Sequence, residues 1–266
     1  MSTWSDFEVQ CTDYLEDRFG GYARFIHQGG SDSTVPDILV RPVNGGEPFY
    51  IEVKHSPAQC GQFVLTPDIT AREFVYSGNN ANPLNEWSRM IMKYMNKDFD
   101  AFRDAGTRGK TIDMPDGPEI FSNWIIQAYE HKGARFFITN GFTMVPLHEF
   151  GECFDVSATY RIKRSGSSAV GWHRMGSVEQ YIHDHGYDDG GSRNDDRGKL
   201  YVYPSKRVHH GQRFVVDNDE YMFSSRDGRY EVRRLSNTYN ANVIFSIVMK
   251  PFVSGLTDSE FIACLG

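Results

Sequence analysis

The sequence is poor in cysteine and has no recognisable zinc-binding pattern. Its four cysteines lie far apart, at positions 11, 60, 153 and 264, and none belongs to a C-x-x-C pair. Among the nine histidines, His183 and His185 are two residues apart and His209 and His210 are adjacent, so neither pair has the spacing of the H-E-x-x-H motif. These patterns favour buried, reduced thiols over a disulfide framework or a zinc site.

Long apolar runs and an excess of positive charge are also missing. No segment is apolar over the length needed to span a bilayer, and the beginning, MSTWSDFEVQ, lacks the basic and apolar regions of a secretion signal. We therefore expect a soluble, cytoplasmic protein that has no membrane partner. The formal net charge of −7 argues against indiscriminate coating of nucleic acid, although it permits a local basic groove.

The first 140 residues combine helical and strand patterns. Residues 5–19 predict a helix in which Ser5 and Glu8 have the spacing of a capping box, and residues 83–106 and 118–133 predict two more helices. Strands are predicted at YARFIH, DILVRPV, FYIEVKH and ARFFIT. This order indicates an α/β fold with a mixed sheet and helices on its faces.

From residue 141 onward the sequence changes character. Short β-like pieces such as TMVPLHEF, KLYVYP and RYEVRRL follow one another, divided by turns and by an acidic, glycine-rich segment. We therefore predict two parts, a core at 1–140 and a β-rich extension at 141–266 that packs on the core.

The segment 29–55, GGSDSTVPDILVRPVNGGEPFYIEVKH, places charged residues inside strand-forming sequence. Side chains two apart on a strand share a face, so Glu52 and Lys54 project together while Val53 faces the other side. A hairpin at the Gly-Gly turn brings Asp37 back towards Glu52. Two carboxylates with an ammonium beside them are the groups that Mg²⁺-dependent phosphodiester hydrolysis requires.

This arrangement resembles the motif of the PD-(D/E)xK nuclease superfamily, which consists of an Asp, a hairpin-length gap, an acid, one residue and a Lys. The matching residues here are Pro36-Asp37 and Glu52-Val53-Lys54. The resemblance covers residues 1–65, with weaker support from the elements up to residue 140. It implies a restriction-endonuclease-like fold, in which helices flank a mixed β-sheet.

The resemblance also implies roles for these residues. Asp37, Glu52 and the Val53 carbonyl would hold Mg²⁺, for which Mn²⁺ is a substitute, and Lys54 would orient or deprotonate the attacking water. The hairpin also has a simpler interpretation, in which Glu52 and Lys54 form an ion pair on a surface. The charged residues inside the apolar run FYIEV argue against that alternative.

Relatives in the superfamily, especially Holliday-junction resolvases, carry further residues that this sequence matches. A glutamate on the first helix corresponds to Glu8, an outer or second-metal ligand, although Glu8 also fits a purely structural capping box. The small-residue run before the Asp corresponds to GGSDS at 29–33. A glutamine after the Lys corresponds to Gln59 or Gln62, and Gln62 would hold Lys54 or the water.

The bare pattern occurs twice more in the chain. Asp116 with Glu130 and Lys132 repeats it, but the apolar spacing between them predicts a helix, in which the last two side chains diverge by about 200°. We expect that copy to play no part in catalysis. A third copy joins Asp219 to the EVR sequence at 231–233, and its arginine cannot lose a proton near neutral pH.

The residues after the core include a basic strand and a polar loop suited to phosphate contacts. Arg161 and Lys163 are predicted on one face of the strand and Arg164 on the other. Ser165 and Ser167 lie in the following loop, whose hydroxyls and amides can bind phosphate oxygens.

These patterns predict a Mg²⁺-dependent endodeoxyribonuclease, most specifically a type II restriction endonuclease. The extension at 141–266 exceeds what small junction resolvases need, so we expect it to supply DNA recognition or dimerisation. The expected partners are double-stranded DNA and a second copy of the chain. A Holliday-junction resolvase or a DNA-repair nuclease would use the same chemistry, and a catalytically silent DNA-binding or protein-interaction module would keep the fold alone.

Overall fold

The computed structural model describes residues 4–28, 35–164, 166–188, 191–195, 197–203, 207–226 and 228–266. Its α-helices are α1 (Trp4–Phe19), α2 (Glu86–Asn96), α3 (Phe99–Arg103), α4 (Gly117–Glu130), α5 (Phe150–Cys153), α6 (Trp172–Asp184) and α7 (Asp258–Leu265). Within these ranges, no helix combines the length and the apolar character that a membrane crossing demands.

The strands of the described residues form three sheets. They are β1 (Ala23–His27), β2 (Ile38–Pro42), β3 (Phe49–Val53), β4 (Ala58–Asp68), β5 (Glu73–Tyr76), β6 (Lys110–Thr111), β7 (Ala134–Thr139), β8 (Thr143–Pro146), β9 (Phe154–Arg164), β10 (Ser167–Ala169), β11 (Ser192–Asn194), β12 (Leu200–Val202), β13 (Arg213–Val216), β14 (Asp219–Arg226), β15 (Arg229–Leu235) and β16 (Tyr239–Met249).

The first sheet has the strand order β1-β2-β3-β7-β8. Strands β3 and β7 run parallel, while the other neighbours run antiparallel, so the sheet is mixed as predicted. Helix α1 covers it because Cys11, Leu15 and Phe19 recur at helical spacing and are buried against the sheet residues Ile38 and Ile51. The predicted α/β fold with helices flanking a mixed sheet is confirmed.

The second sheet has the strand order β5-β4-β16-β9-β6 and packs against α4. Trp124 of α4 lies at the centre of this core, with its ring 4.5 Å from that of Phe245 and 5.6 Å from that of Phe63. Its indole N–H donates to the Ser88 hydroxyl at 3.0 Å, so burial leaves no unpaired donor on the ring.

The chain divides into two compact units at other residues than the sequence suggested. Unit 1 comprises Met1–Ile162 and Ala241–Gly266, and unit 2 comprises Lys163–Asn240. The predicted division at residue 140 differs because β9 and β16 complete the second sheet, and because Phe261 of α7 is buried in the core of the first sheet.

Unit 2 contains the third sheet and α6. The strand order is β11-β12-β15-β14-β13, and β10 pairs with β15. Helix α6 covers one face of this sheet because Met175, Val178 and Ile182 form an apolar stripe that is buried against residues such as Phe223 and Val232.

Several elements differ from the sequence predictions. The predicted helix at 83–106 is broken between α2 and α3, because the Asn96 side chain accepts the Phe74 N–H at 2.8 Å and the chain then turns Phe99 into the core. Strand β4 was not predicted. The prediction that only short β-like pieces follow residue 141 was wrong for α6 and α7.

Candidate active site

The β2–β3 hairpin brings together the residues that the sequence singled out. Ile38 pairs with Ile51 across the hairpin, so Asp37 lies beside the end of β3. The Val53 N–H donates to Asp37 Oδ2 at 2.8 Å and fixes the orientation of the carboxylate. The hairpin thus brings Asp37 back to the strand that carries Glu52, as the sequence predicted.

Glu52 is buried, and its carboxylate accepts hydrogen bonds from Lys54 and Tyr129. Lys54 Nζ donates to Glu52 Oε1 and, at 3.3 Å, to the carbonyl oxygen of Val53. The Tyr129 hydroxyl donates to the same carboxylate oxygen at 3.0 Å. The ion pair lies in a partly enclosed site and not on an open surface, because the Glu52 side chain is only 8% exposed and that of Lys54 18%.

The electrostatics of the hairpin reflect two acids in a confined space. Burial, followed by the charge of Glu52, raises the pKa of Asp37 to about 7, although Lys54 and the Val53 amide partly offset this. Burial alone would lower the pKa of Lys54, but the charge of Glu52 more than compensates and raises it. Lys54 is therefore an ammonium in the resting site.

Glu8 reaches the same site from helix α1. It is buried, and its Oε2 lies 3.2 Å from Nε2 of His27, at the end of β1. The Ser5 side chain of the capping-box alternative lies outside the described part of the chain, and the Glu8 carboxylate is paired with a residue of the sheet. His27 has no counterpart in the sequence prediction.

An irregularity in β4 positions two glutamines. Gln62 pairs with Ile244 and Gln59 with Ser246, so β4 has one more residue than β16 between these points, which defines a β-bulge. Gly61 lies in the bulge with φ +90°, and a Cβ there would approach Trp124 Cζ3 to 2.8 Å. The bulge allows Gln59 Nε2 to donate to Gln62 Oε1 at 3.4 Å.

These residues line one cavity of about 510 Å³ in unit 1. Its walls include the carboxylates, Lys54, both glutamines and the loop at 79–82, and its floor includes Trp124 and Tyr129. Gln62 shares this cavity with Lys54, while its hydrogen bond joins it to Gln59. Every predicted catalytic residue therefore lines this cavity. They come from four places in the chain, which are α1, the residue before β2, the end of β3 with the residue after it, and β4.

The site offers oxygen ligands suited to a hard divalent cation. Asp37, Glu52 and the Val53 carbonyl are adjacent, and Glu8 lines the same cavity. In the ranges described above, no cluster of three or more His, Cys, Asp or Glu side chains is placed to hold a metal ion. The raised pKa of Asp37 fits this role, because a cation would relieve the repulsion between the two acids.

The hairpin geometry and the comparisons with known proteins define the class of protein. Scans of the sequence against protein-family models and against curated proteins give no match. A comparison with solved structures does give one, and the chain belongs to the restriction-endonuclease-like PD-(D/E)xK superfamily. The matching structure is the HhaI endonuclease in complex with DNA, with a TM-score of 0.81 and 37% sequence identity over 99% of this chain and 98% of that chain.

The helical copy of the motif contributes to the site in an unexpected way. Asp116 precedes α4, which ends at Glu130, so this copy of the motif lies on a helix, as the spacing predicted, and Lys132 follows the helix end. However, Lys132 lines the same cavity and lies 5.1 Å from the centre of the Tyr129 ring. We therefore no longer expect Lys132 to be without effect on activity. Tyr129 had no sequence signal of its own, since it continues an apolar helix face.

The predicted DNA-binding residues occupy different surroundings. Arg161 is partly buried in β9, and its Nε has no partner, whereas Lys163 is exposed. Arg164 is bound to Glu220, and Ser167 accepts two hydrogen bonds from Arg233. Ser165 and the small-residue run at 29–33 lie outside the described residues.

Replacement of Tyr129 by Phe tests its role as a positioning residue. We expect Tyr129→Phe to slow cleavage by roughly 10- to 100-fold, because Glu52 loses a neutral donor that fixes its orientation. The rate is measured in single-turnover reactions over a Mg²⁺ titration, which should also shift to higher Mg²⁺. Tyr94→Phe, which removes a surface hydroxyl bound to the Asp113 carbonyl, is the matched control. Equal rates for both variants would contradict the assignment.

Proposed function

We propose that this protein is a Mg²⁺-dependent endodeoxyribonuclease of the type II restriction class that hydrolyses double-stranded DNA. The observation that carries the proposal is the meeting of Asp37, Glu52 and Lys54 at one hairpin inside the 510 Å³ cavity. The similarity to an endonuclease solved with DNA, over nearly the whole length of both chains, supports it.

In the proposed reaction each residue of the hairpin has a separate task. Asp37, Glu52 and the Val53 carbonyl hold Mg²⁺ or Mn²⁺, with Glu8 as an outer or second ligand. When bound, the ion supplies positive charge that stabilises the developing charge on the phosphate and the leaving oxygen. Lys54, an ammonium in the resting site, orients the attacking water.

Two further residues support this chemistry. The Tyr129 hydroxyl keeps Glu52 in one orientation, since burial, followed by the charge of Glu52, raises the pKa of the phenol well above its ordinary value and keeps it protonated. Gln62, which lines the same cavity, would hold Lys54 or the attacking water in place. We also propose, as a separate prediction, that the enzyme acts as a homodimer.

The proposed function is tested by incubating the protein with long unmethylated DNA, with and without Mg²⁺. We expect discrete fragments that appear only with Mg²⁺ and not with a chelator. A smear would indicate a nonspecific nuclease, and selective cutting of a four-way junction would indicate a resolvase. Intact DNA under all conditions would contradict catalysis and favour a silent module with the nuclease fold.

A further inference from the structure

The charges of the chain are unevenly divided between its two units. Unit 2 contains 13 Lys and Arg residues and 11 Asp and Glu residues, for a formal charge of +2. Unit 1 contains the remaining 15 basic and 24 acidic residues, for a formal charge of −9. A positive unit in an acidic chain indicates an anionic partner for that unit.

The register of the third sheet gathers these positive charges on one face. Residues opposite each other across a ladder share a face, and Arg213 and Arg233 both pair with Met222, while Arg226 pairs with Arg229. Arg193 pairs with Tyr201, on the same face. This set, which we name the arginine face, consists of Arg193, Arg213, Arg226, Arg229 and Arg233. Helix α6 covers the opposite face of the sheet.

Two glutamates on the same face hold arginines in pairs. Glu231 is buried, and its carboxylate lies 2.6 Å from Arg233 Nη1 and 3.6 Å from Arg226 Nε. The single negative charge of Glu231 therefore offsets one of the two positive charges, and its carboxylate holds both guanidinium groups. Each guanidinium has five N–H donors, and even Arg233, which donates to Glu231 and twice to Ser167, keeps two of them for a further acceptor.

Glu220 repeats this arrangement on the neighbouring strand. Its carboxylate binds Arg164, at the end of β9, and lies 3.3 Å from Arg213 Nη1. Arg229 is held differently, with its guanidinium stacked 3.9 Å above the ring of Tyr201. Four of the five arginine side chains are therefore held by neighbouring groups, and those of Arg213 and Arg226 are more than half exposed.

We infer that the arginine face binds the phosphate backbone of the DNA substrate. The inference rests on the proposed nuclease function, and it assigns the DNA-contacting surface of unit 2 to β11 and β13–β15 instead of to the basic end of β9 alone. DNA is the occupant that the charges favour, because the strands carry five arginines against two glutamates on this face. Fixed guanidinium groups lose little freedom when they bind phosphate oxygens.

The test compares the salt dependence of DNA binding in two double variants, measured in chelator so that no cleavage occurs. We expect R213A/R226A to weaken binding and to reduce the slope of log affinity against log salt by about 1.8, at about 0.9 per lost phosphate contact. The matched control is R72A/R103A, since Arg72 and Arg103 share Asp100 in unit 1 at 2.5 and 2.9 Å. The control should keep the wild-type slope.

The outcomes separate this inference from the proposed function. An unchanged slope in R213A/R226A, or an equal loss in the control, would overturn the arginine face even if the wild-type protein cuts DNA. Failure of the wild type to cut would overturn the function without affecting the slopes. If R213A/R226A does not fold, as judged by thermal melting, Arg229→Ala replaces it, with an expected slope reduction of about 0.9.

Discussion

Cleavage by the Lys54→Met protein should be slower than that of the wild type by about 100-fold or more, which corresponds to roughly 3 kcal/mol of barrier. The reason is the position of the ammonium, which lies against Glu52 and the Val53 carbonyl, two of the groups that would hold the cation. Single-turnover cleavage at saturating Mg²⁺ measures the effect, because it isolates the chemical step from product release.

The stability of Lys54→Met gives a second, independent measurement. Lys54 is the counter-charge of a buried acid, so its loss should destabilise the protein in chelator by roughly 3 kcal/mol, and Mg²⁺ should restore part of this. Lys110→Met is the control, because Lys110 pairs with Asp98 at 3.7 Å and is 40% exposed. We expect that variant to melt and cut like the wild type. A folded Lys54→Met protein that cuts within a few-fold of wild type would remove lysine from the mechanism.

Asp37→Asn should abolish cleavage and, in chelator, should make the protein more stable. Cleavage is lost because an amide has no charge to hold the cation. Stability rises because burial and the charge of Glu52 penalise the ionised Asp37 in the folded protein, raising its pKa from 3.8 to about 7. We expect a gain on the order of 2–4 kcal/mol at pH 8, measured by chemical denaturation.

The pH dependence of this gain follows from the direction of the shift. Between pH 3.8 and about 7 the folded chain retains a proton that the unfolded chain has lost, so wild-type stability falls as the pH rises through this window. The advantage of Asp37→Asn should therefore be small near pH 4, grow up to pH 7 and then level off. Asp116→Asn, before α4, is the control and should show no such growth. A constant difference across the pH range would contradict the raised pKa.

The active-site hairpin was predictable because its determinants are local. The alternation around Glu52 and Lys54 and the Gly-Gly turn specify a hairpin within a single segment, and Asp37 follows from its register. Residues from distant segments were not predictable. Tyr129 contacts Glu52 because β3 and β7 run parallel and α4 packs over them. The pairing of β3 with β7 joins distant segments, so no local sequence pattern predicts it.

Misassigned elements also have physical causes. The bulge in β4 depends on the packing of Gly61 against Trp124, a contact between segments 63 residues apart, so the sequence gives no periodic sign of a strand there. Helix α6 does carry a helical stripe at Met175, Val178 and Ile182, but Gly176 inside the helix weakens its helix propensity. The boundary between the units depends on the pairing of β16 with β4. These strands are far apart in the sequence, so no local pattern predicts that pairing.

The route of the chain through β9 and β16 has an evolutionary consequence. These strands are neighbours in the second sheet, and the Arg164 guanidinium at the end of β9 donates to the Tyr239 hydroxyl at the start of β16 at 3.1 Å. Residues 163–240 thus begin and end close together, as an insertion between two neighbouring strands of a sheet does. A single contiguous stretch of gene can be exchanged, lengthened or lost while the hairpin chemistry is inherited unchanged.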